Sequence, residues 1–532
     1  MQSYSLTVDK FLDHAAKWFS AARVIEGGTG RRSASVYAGL RERSNRLSGA
    51  LIALGGKPGD RVGTLAWNTL AHLETYYAIM GAGMVCHTLN PRMTADHLAT
   101  IVEEADDRII AVSSDLLPLL SEVAERCPAI RHVILLESPG TQHALPSGAS
   151  LWAYEALLET HGHPTDWGQF NELIAAGLCY TSGTTGPPKG VIYTHRSNYL
   201  HTLRALQADA MAFTAADTVL VGVPMFHANG WGIPFAAPAV GANMVLPGRQ
   251  MDGASLARLL SEEKVTVAVG IHTLWLGVAD HLESSGESLP DLQRIIIGGS
   301  SCPENLIERI EHRLGARVQT SWGMTELSPL GTILPIGTTD RPPLSAGHPP
   351  MGLDLKLVDE TGQSLPDQVG TVGHLRVRGA SVVDRYFGES VSALDEGGYF
   401  DTGDLAMLDE TGNLTISGRS KDLIKSGGEW INPTEIEAVV GSEPAVSLVA
   451  VIGMPDEKWT ERPLLVVQPQ SGRDLDVASI VDSLRDKVAS WWIPDRLVRI
   501  ADMPLTGSGK IDKNQLRADF AAGKMTTEPL SP

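Results

Sequence analysis

Short β-branched runs alternate with stretches of helical periodicity through the first four-fifths of the chain. No other feature constrains the fold as much. Residues 61-RVGTLAW-67 read as a buried strand, and 69-TLAHLETYYAIMGAG-83 as a helix closed by glycine. The runs 265-VTVAVGI-271, 294-RIIIGGS-300 and 316-ARVQTSW-322 repeat the strand pattern, each followed by helical spacing. Continuous apolar strands of this kind belong to largely parallel sheets covered by helices on both faces. An α/β protein of layered, mostly parallel sheets is therefore expected. Its ligands should sit where loops leave the C-terminal ends of strands, as 298-GGSSCP-303 and 323-GMTE-326 do.

The texture changes between about 340 and 420. Residues 353-LDLKLVDETGQSLP-366 and 373-GHLRVRG-379 alternate apolar and polar, with turn residues between them, and predict an antiparallel β-rich subdomain. Beyond Ser420 lies a smaller α+β block. Strands are expected at 447-SLVAVIGMP-455 and 463-PLLVVQP-469, and helices around 433–442 and 476–490. A boundary at Arg419–Lys421 divides a large domain, 1–419, from a small one, 420–532. A chain of 532 residues is too long for one compact core, which agrees with two domains.

Composition removes several function classes. Apolar residues make up 43% and charged residues 20%, the balance of an ordinary globular protein. A formal net charge of −19 argues against nucleic acid and against anionic lipid surfaces. Cys86, Cys127, Cys179 and Cys302 form no CxxC pair, so they read as buried thiols of a reducing compartment. The N-terminus is amphipathic and carries Asp9 and Asp13, unlike a signal peptide. No apolar run reaches the ~18 residues of a membrane span. The cytoplasm is the expected location.

One segment asks for an anion. In 180-YTSGTTGPPKGV-191, hydroxyls, glycines and a lysine directly follow a strand. A count from Gly183 puts Pro188 where a Walker loop has its second glycine, and Gly190 where that loop has its Ser/Thr. Proline removes a backbone N–H needed for phosphate, so this is not a P-loop. Thr181, Ser182, Thr184 and Thr185 can still donate hydroxyls. Gly183 and Gly186 let the backbone turn, and Lys189 supplies charge. Thr194 or Ser197 could cap a helix over 195–211. The bland alternative, a solvated linker, leaves the coincidence of these residue types unexplained.

With TSGTTGPPKG at 181–190, the chain resembles the adenylate-forming, or acyl-activating, superfamily. Further matches follow in the family's order, at 224-PMFHANGWG-232, 298-GGSSCP-303, 322-WGMTE-326, 401-DTGD-404, 418-GRSKDLIKSGGEWI-431 and 506-TGSGK-510. The likeness extends from roughly residue 10 to residue 515. It implies that a carboxylic acid attacks the α-phosphate of ATP to form an acyl-adenylate. A small mobile C-terminal domain then rotates, and a thiol takes the acyl group.

The resemblance implies a role for each matched residue. Thr181, Ser182, Gly183, Thr184, Thr185, Gly186 and Lys189 would hold the β- and γ-phosphates. Glu326 would bind magnesium, a hard cation that prefers oxygen ligands, and Thr325 would touch the α-phosphate. Trp322, Gly323 and Met324, with Gly298, Gly299 and Ser300, would form the adenine slot. Asp404 would bind the ribose, with Arg419 as its partner, although DTGD taken alone reads as a β-turn. Lys421 falls at the hinge position, where 421-KDLIK-425 alone reads as a charged helix or turn start. Lys510 would bridge substrate carboxylate and α-phosphate. Lys425, Ser426, Gly427, Gly428, Glu429 and Trp430 would face CoA. The expected cofactors are thus ATP, Mg2+ and CoA.

The acyl side is less determined. His227 starts the acyl segment, and a histidine there has an ordinary pKa near 6.5. Trp231, between Gly230 and Gly232, would line or gate an apolar tunnel; a static core tryptophan is the alternative. Gly230 and His272 depart from the fatty-acyl-CoA synthetase subgroup, which has alanine and proline there. Asn432-Pro433 departs too, at the start of the small domain. The subgroup implies a medium- or long-chain fatty acid, or a related aryl-alkanoic or thioether acid. Two alternatives remain: an adenylating enzyme that serves a carrier protein, and a non-catalytic nucleotide- or acyl-binding relative. The oligomeric state stays open, a homodimer among the options.

Overall fold

The computed structural model describes all residues except 3, 29–32, 138–147, 182–187, 300–301, 303, 339–340, 343, 428, 471, 486, 507–509 and 531–532. Two large sheets dominate. The seven-stranded sheet runs Ser150–Ala153, His132–Leu135, Ile109–Val112, Arg61–Leu65, Val85–Thr88, Ala175–Tyr180 and Gly190–Thr194. All its pairings are parallel except the last. The eight-stranded sheet has antiparallel edges, Leu330–Ile333 at one side and Ser33–Val36 at the other, around a parallel centre. The central strands Ile109–Val112 and Val267–Gly270 are buried at every position, as strands covered on both faces must be.

The helix Leu70–Gly81 shows why the two sheets form one body. Thr69 caps it by accepting from His72 N at 3.2 Å. Eleven of its twelve residues are buried. A helix buried on all sides has neighbours on all sides, and here the polar His72, Glu74 and Thr75 are enclosed with the apolar residues. It lies in a core that draws Val62 and Ala111 from one sheet and Val219, Val267 and Ile296 from the other. Sequence periodicity had predicted this helix over 69–83.

The antiparallel region is a four-stranded sheet, Leu353–Val358, Gly373–Gly379, Phe400–Leu408 and Leu414–Arg419. Here 401-DTGD-404 is not a turn. It lies inside the strand Phe400–Leu408, where Gly403 at φ +70° takes up an irregularity that an ordinary residue would resist. Asp404 then pairs across the sheet with Arg419.

The last sheet has six strands between Ile424 and Pro529, with separate cores on its two faces. Three boundaries differ from the sequence reading. The helix expected over 476–490 is Val477–Leu484, and Ser490–Trp492 forms a separate 3-10 turn. The helix after the glycine loop ends at Ala205, with Thr194 and not Ser197 as its cap. Residues 421–425 begin as a 3-10 turn, Ser420–Asp422, and continue as the strand Ile424–Ser426.

Candidate active site

The glycine-rich segment joins antiparallel neighbours. Ala175–Tyr180 enters it and Gly190–Thr194 returns, with Tyr180 paired to Gly190. The mouth is closed by Thr181 N to Lys189 O at 2.9 Å and Lys189 N to Thr181 Oγ1 at 3.3 Å. Ser182, Gly183, Thr184, Thr185 and Gly186 lie outside the described residues. Lys189 is exposed, and its Nζ stands 4.7 Å above the ring of Tyr386.

Tyr386 connects this loop to the next group. Its hydroxyl donates to Glu326 Oε1 at 3.0 Å. Glu326 follows the strand Arg317–Gly323 in a short 3-10 turn, Thr325–Leu327. The carbonyl of Thr325 accepts from the Tyr193 hydroxyl at 2.8 Å. Both Thr325 and Glu326 are buried. Burial pushes the Glu326 pKa up, while its own backbone, the Tyr386 hydroxyl and Arg419 act against that shift.

Asp404 is held on both oxygens. Arg419 Nε lies 2.7 Å from Oδ1, and Trp322 Nε1 donates to Oδ2 at 2.9 Å. Burial raises the Asp404 pKa; Arg419, the indole N–H and Lys510 oppose it. The indole of Trp322 packs in the core with Tyr193 and Leu327, and its ring leaves no room for a side chain at Gly331. It thus fixes the carboxylate from behind.

Lys510 comes from the small C-terminal sheet region and enters the same electrostatic group. Burial lowers its pKa to about 8, and Arg419 adds to the shift; Asp404 and Glu326 pull the other way. Its backbone is clasped to Thr506, N to Oγ1 at 3.2 Å and Thr506 N to Lys510 O at 2.6 Å. A Cβ built on Gly299 would lie 3.6 Å from Lys510 Cε and 3.3 Å from Ile271 Cγ2.

The ring lying on this glycine edge belongs to Trp231. A Cβ on Gly298 would stand 2.9 Å from the Trp231 indole, so the ring rests directly on the backbone there. Ser300, the third residue of the edge, lies outside the described residues. Trp231 is carried by a rare backbone run. Ala228, Asn229, Gly230, Trp231 and Gly232 all have positive φ, from +40° to +74°. His227 precedes the run. Burial, Lys510 and Arg92 push its pKa down to about 4, so its imidazole is neutral at physiological pH. His272, the first residue of the helix His272–Ser285, is likewise held down to about 4 by burial.

The hairpin Ile424–Ser426 and Glu429–Ile431 stands apart from this cluster. Lys425 Nζ lies 5.5 Å from the ring of Trp430, its cross-strand partner. Trp430 is 46% exposed and borders a cavity of about 390 Å³ against Val358, His374 and Leu405 of the four-stranded sheet. Gly427 N donates to Trp459 O at 2.8 Å; Gly428 lies outside the described residues. Just before the hairpin, Ser420 Oγ donates to Gly403 O at 3.1 Å, and Asp422 pairs with Arg517 at 2.6 Å, flanking Lys421.

The sequence motifs did not point to Tyr386, Tyr193 or Arg92. Tyr386 stands in no quoted motif, and no spacing ties it to Glu326. Among the described residues, no group of three or more His, Cys, Asp or Glu side chains could hold a metal alone. Nor is any described helix long and apolar enough to cross a membrane. All four cysteines are buried and free.

Comparisons with known proteins agree along the whole chain. The family model of AMP-binding enzymes matches residues 12–387, and that of the AMP-binding enzyme C-terminal domain matches 435–510. A 3-methylmercaptopropionyl-CoA ligase of Ruegeria lacuscaerulensis is 40% identical over 530 residues, covering 98% of each chain. A medium-chain-fatty-acid–CoA ligase of Ectopseudomonas oleovorans is 38% identical, covering 98% of this chain and 97% of its own. The crystal structure of an anthranilate CoA ligase in complex with anthranoyl-AMP superposes with a TM-score of 0.89 at 23% identity, over 98% of this chain and 99% of that one.

Proposed function

The chain belongs to the family of AMP-binding enzymes, and from that membership we propose an ATP-dependent, AMP-forming acyl-CoA ligase whose chemistry is carried by Lys510, Glu326, Asp404 and His227. In the first step a carboxylate oxygen attacks the α-phosphorus of ATP, the bond to the β-phosphate breaks, and pyrophosphate leaves. In the second, the CoA sulfur attacks the acyl carbon and AMP leaves. The observation that carries this reading is the approach of Lys510, near the end of the chain, to the Gly299 edge of the large domain, where Asp404, Glu326 and Arg419 act on its charge.

Two anions must meet in the first step, so the site has to supply preorganised positive charge. Lys510, at a pKa of about 8, is mostly an ammonium at neutral pH and can bridge both. Lys189 brings a second cation, steadied over Tyr386, to the mouth of the glycine loop. Asp404 keeps unused lone pairs on both oxygens for ribose hydroxyls after its bonds to Trp322 and Arg419. Glu326 offers a buried carboxylate that a nearby cation would hold ionised, which fits Mg2+ with its remaining oxygens drawn from phosphate. Bound there, Mg2+ would neutralise phosphate charge as pyrophosphate departs. His227, kept neutral, can orient the incoming carboxylate without competing for a proton.

The large domain, 1–419, would hold nucleotide and acid, and the small one, 420–532, would swing about Lys421. Lys510 stands at the site while Lys425, Ser426, Gly427, Glu429 and Trp430 belong to a separate hairpin, whose Trp430 faces the four-stranded sheet across a cavity. That arrangement suits adenylation; thioester formation would bring the hairpin round. A Lys421→Pro variant should slow CoA-dependent thioester formation about tenfold while sparing pyrophosphate release, since proline fixes φ. Equal slowing of both steps contradicts the hinge.

For the acid, we favour a medium-chain fatty acid or a thioether acid, as named for the relatives at 38–40% identity. The test is a panel of linear, branched, thioether and aryl-alkanoic acids with ATP, Mg2+ and CoA, read by pyrophosphate release and by acyl-CoA mass. Acid-dependent pyrophosphate without acyl-CoA would favour delivery to a carrier protein. No pyrophosphate with any acid would overturn the reading.

A further inference from the structure

The segment bearing His227 and Trp231 is fastened at both ends to one helix. At its start, the Tyr76 hydroxyl donates to Met225 O. At its end, the Tyr77 hydroxyl donates to Pro234 O at 2.7 Å. Both tyrosines are fully buried on the helix Leu70–Gly81. Asn68, two residues before that helix, completes the attachment. Its Nδ2 donates to Val221 O at 2.9 Å and Val223 O at 2.8 Å, and its Oδ1 accepts from Met225 N at 2.7 Å.

Chain chemistry makes the Tyr77 bond necessary. Pro234 O would ordinarily accept from the residue four positions on, but that residue is Pro238, which has no N–H. Tyr77 supplies the missing donor. Between the two anchors the chain folds tightly: a Cβ on Gly230 would lie 3.3 Å from Pro234 Cδ and 3.5 Å from Met225 Cα. The loop that sets Trp231 on Gly298 therefore cannot shift as a body without breaking a bond to the tyrosine pair. The anchoring helix follows a strand of the seven-stranded sheet, whereas the loop follows Thr218–Val221 of the eight-stranded one.

We propose that Tyr76 and Tyr77 are positioning residues for acyl specificity, acting through the bonds that set the depth of Trp231 in the acyl site. The inference rests on the reading of Trp231 as an acyl-site residue. A purely structural role, in which the hydroxyls only satisfy buried carbonyls, predicts lower thermal stability and nothing else.

The test is a double-mutant cycle on the full chain with Tyr76→Phe, Tyr77→Phe and Trp231→Ala, singly and in pairs. The readouts are the kcat/KM ratio for butyrate against octanoate, the KM for ATP, and Tm. Each tyrosine variant should change the ratio roughly twofold or more, the range of coupling between contacting residues, with the KM for ATP unchanged. In the Trp231→Ala background the same hydroxyl deletions should leave the ratio unmoved. Should one tyrosine variant fail to fold, the other carries the test, because each holds a different end of the loop. Lower Tm with unaltered ratios overturns the proposal while Trp231→Ala still shifts them. If Trp231→Ala itself leaves the ratios alone, the acyl-site reading fails and the proposal with it. Additive shifts in the double mutants also overturn it, since the tyrosines would then act by another route.

Discussion

The two halves of the site are held in opposite ways. On the nucleotide side, charge is paired and bonded: Asp404 meets Arg419 and Trp322, and Glu326 meets Tyr386. On the acyl side, five successive residues from Ala228 to Gly232 have left-handed backbone. Asn229, 3% exposed, has neither side-chain oxygen nor nitrogen paired. A bonded carboxylate corner has one low-energy arrangement. A turn with uncommon dihedrals persists only where its surroundings hold it, here through the bonds from Asn68, Tyr76 and Tyr77 to the chain on either side. On the proposed reading, paired charge sets the ATP side, and a strained turn held from its two ends sets the acyl side.

The largest effect should come from the residue serving both halves. Lys510→Ala should lower the adenylation rate by about 10²–10³, the usual cost of one lost electrostatic donor, with little change in ATP affinity. Supplied with synthetic acyl-adenylate and CoA, the variant should still form thioester at near the normal rate. Failure of that rescue in a folded protein would remove the division of labour between the two steps.

Trp231→Ala should act on the acyl half alone. Each methylene in such a pocket is worth about 1–3 kcal/mol, so specificity ratios along a chain-length series should shift in a graded way. The KM for ATP should stay put. A general loss of activity with unchanged ratios would make Trp231 a core residue.

The converse variant is Trp322→Phe, which deletes the donor to a buried carboxylate. It should cost about 1–3 kcal/mol of stability and raise the KM for ATP several-fold, leaving the acid ratios alone. If acid ratios move as much as the KM, the two halves are not separable.

The smallest effect is a pH dependence. With Lys510 in its proposed role the ammonium is the working form, so kcat/KM for ATP should decline as pH rises through about 8, halving there relative to its plateau. Lys510→Arg, charged at all accessible pH, should move that descending limb upward whatever its rate. No limb should arise from His227 between pH 5 and 8, because its pKa is already near 4. A limb near 6.5 that vanishes in His227→Ala would contradict a neutral imidazole.

Much of the layered fold was legible because burial on both faces forces continuous apolar strands, as in 265–271 and 294–300. The motif order also gathered Glu326, Asp404, Arg419 and Lys510, which the structure brings into one electrostatic group. Cross-chain partnerships were not legible. Asp404 sits in residues that read as a turn, and only the strand pairing with Arg419 reveals its conformation. Tyr386 has no sequence mark that distinguishes it from a core tyrosine. The state of His227 depends on burial and on Lys510, far along the chain, so its ordinary pKa was a poor guide. The helix 476–490 was drawn too long because its apolar spacing continues past Leu484 into the separate turn at Ser490–Trp492.

The left-handed turn also has a pharmacological side. Left-handed backbone costs roughly 1–2 kcal/mol per residue with a side chain other than Asn or Asp, so Ala228 and Trp231 together hold about 2–4 kcal/mol, while Asn229 adopts it at little cost. A small molecule shaped to the turn as it stands binds a form already populated, whereas one that needs a relaxed form loses affinity in proportion to how rarely that form occurs. A nucleotide mimic aimed at the carboxylate corner meets only the pairing of Asp404 with Arg419 and Trp322. Inhibitors that discriminate among enzymes sharing the ATP chemistry should therefore be sought against the turn from Ala228 to Gly232.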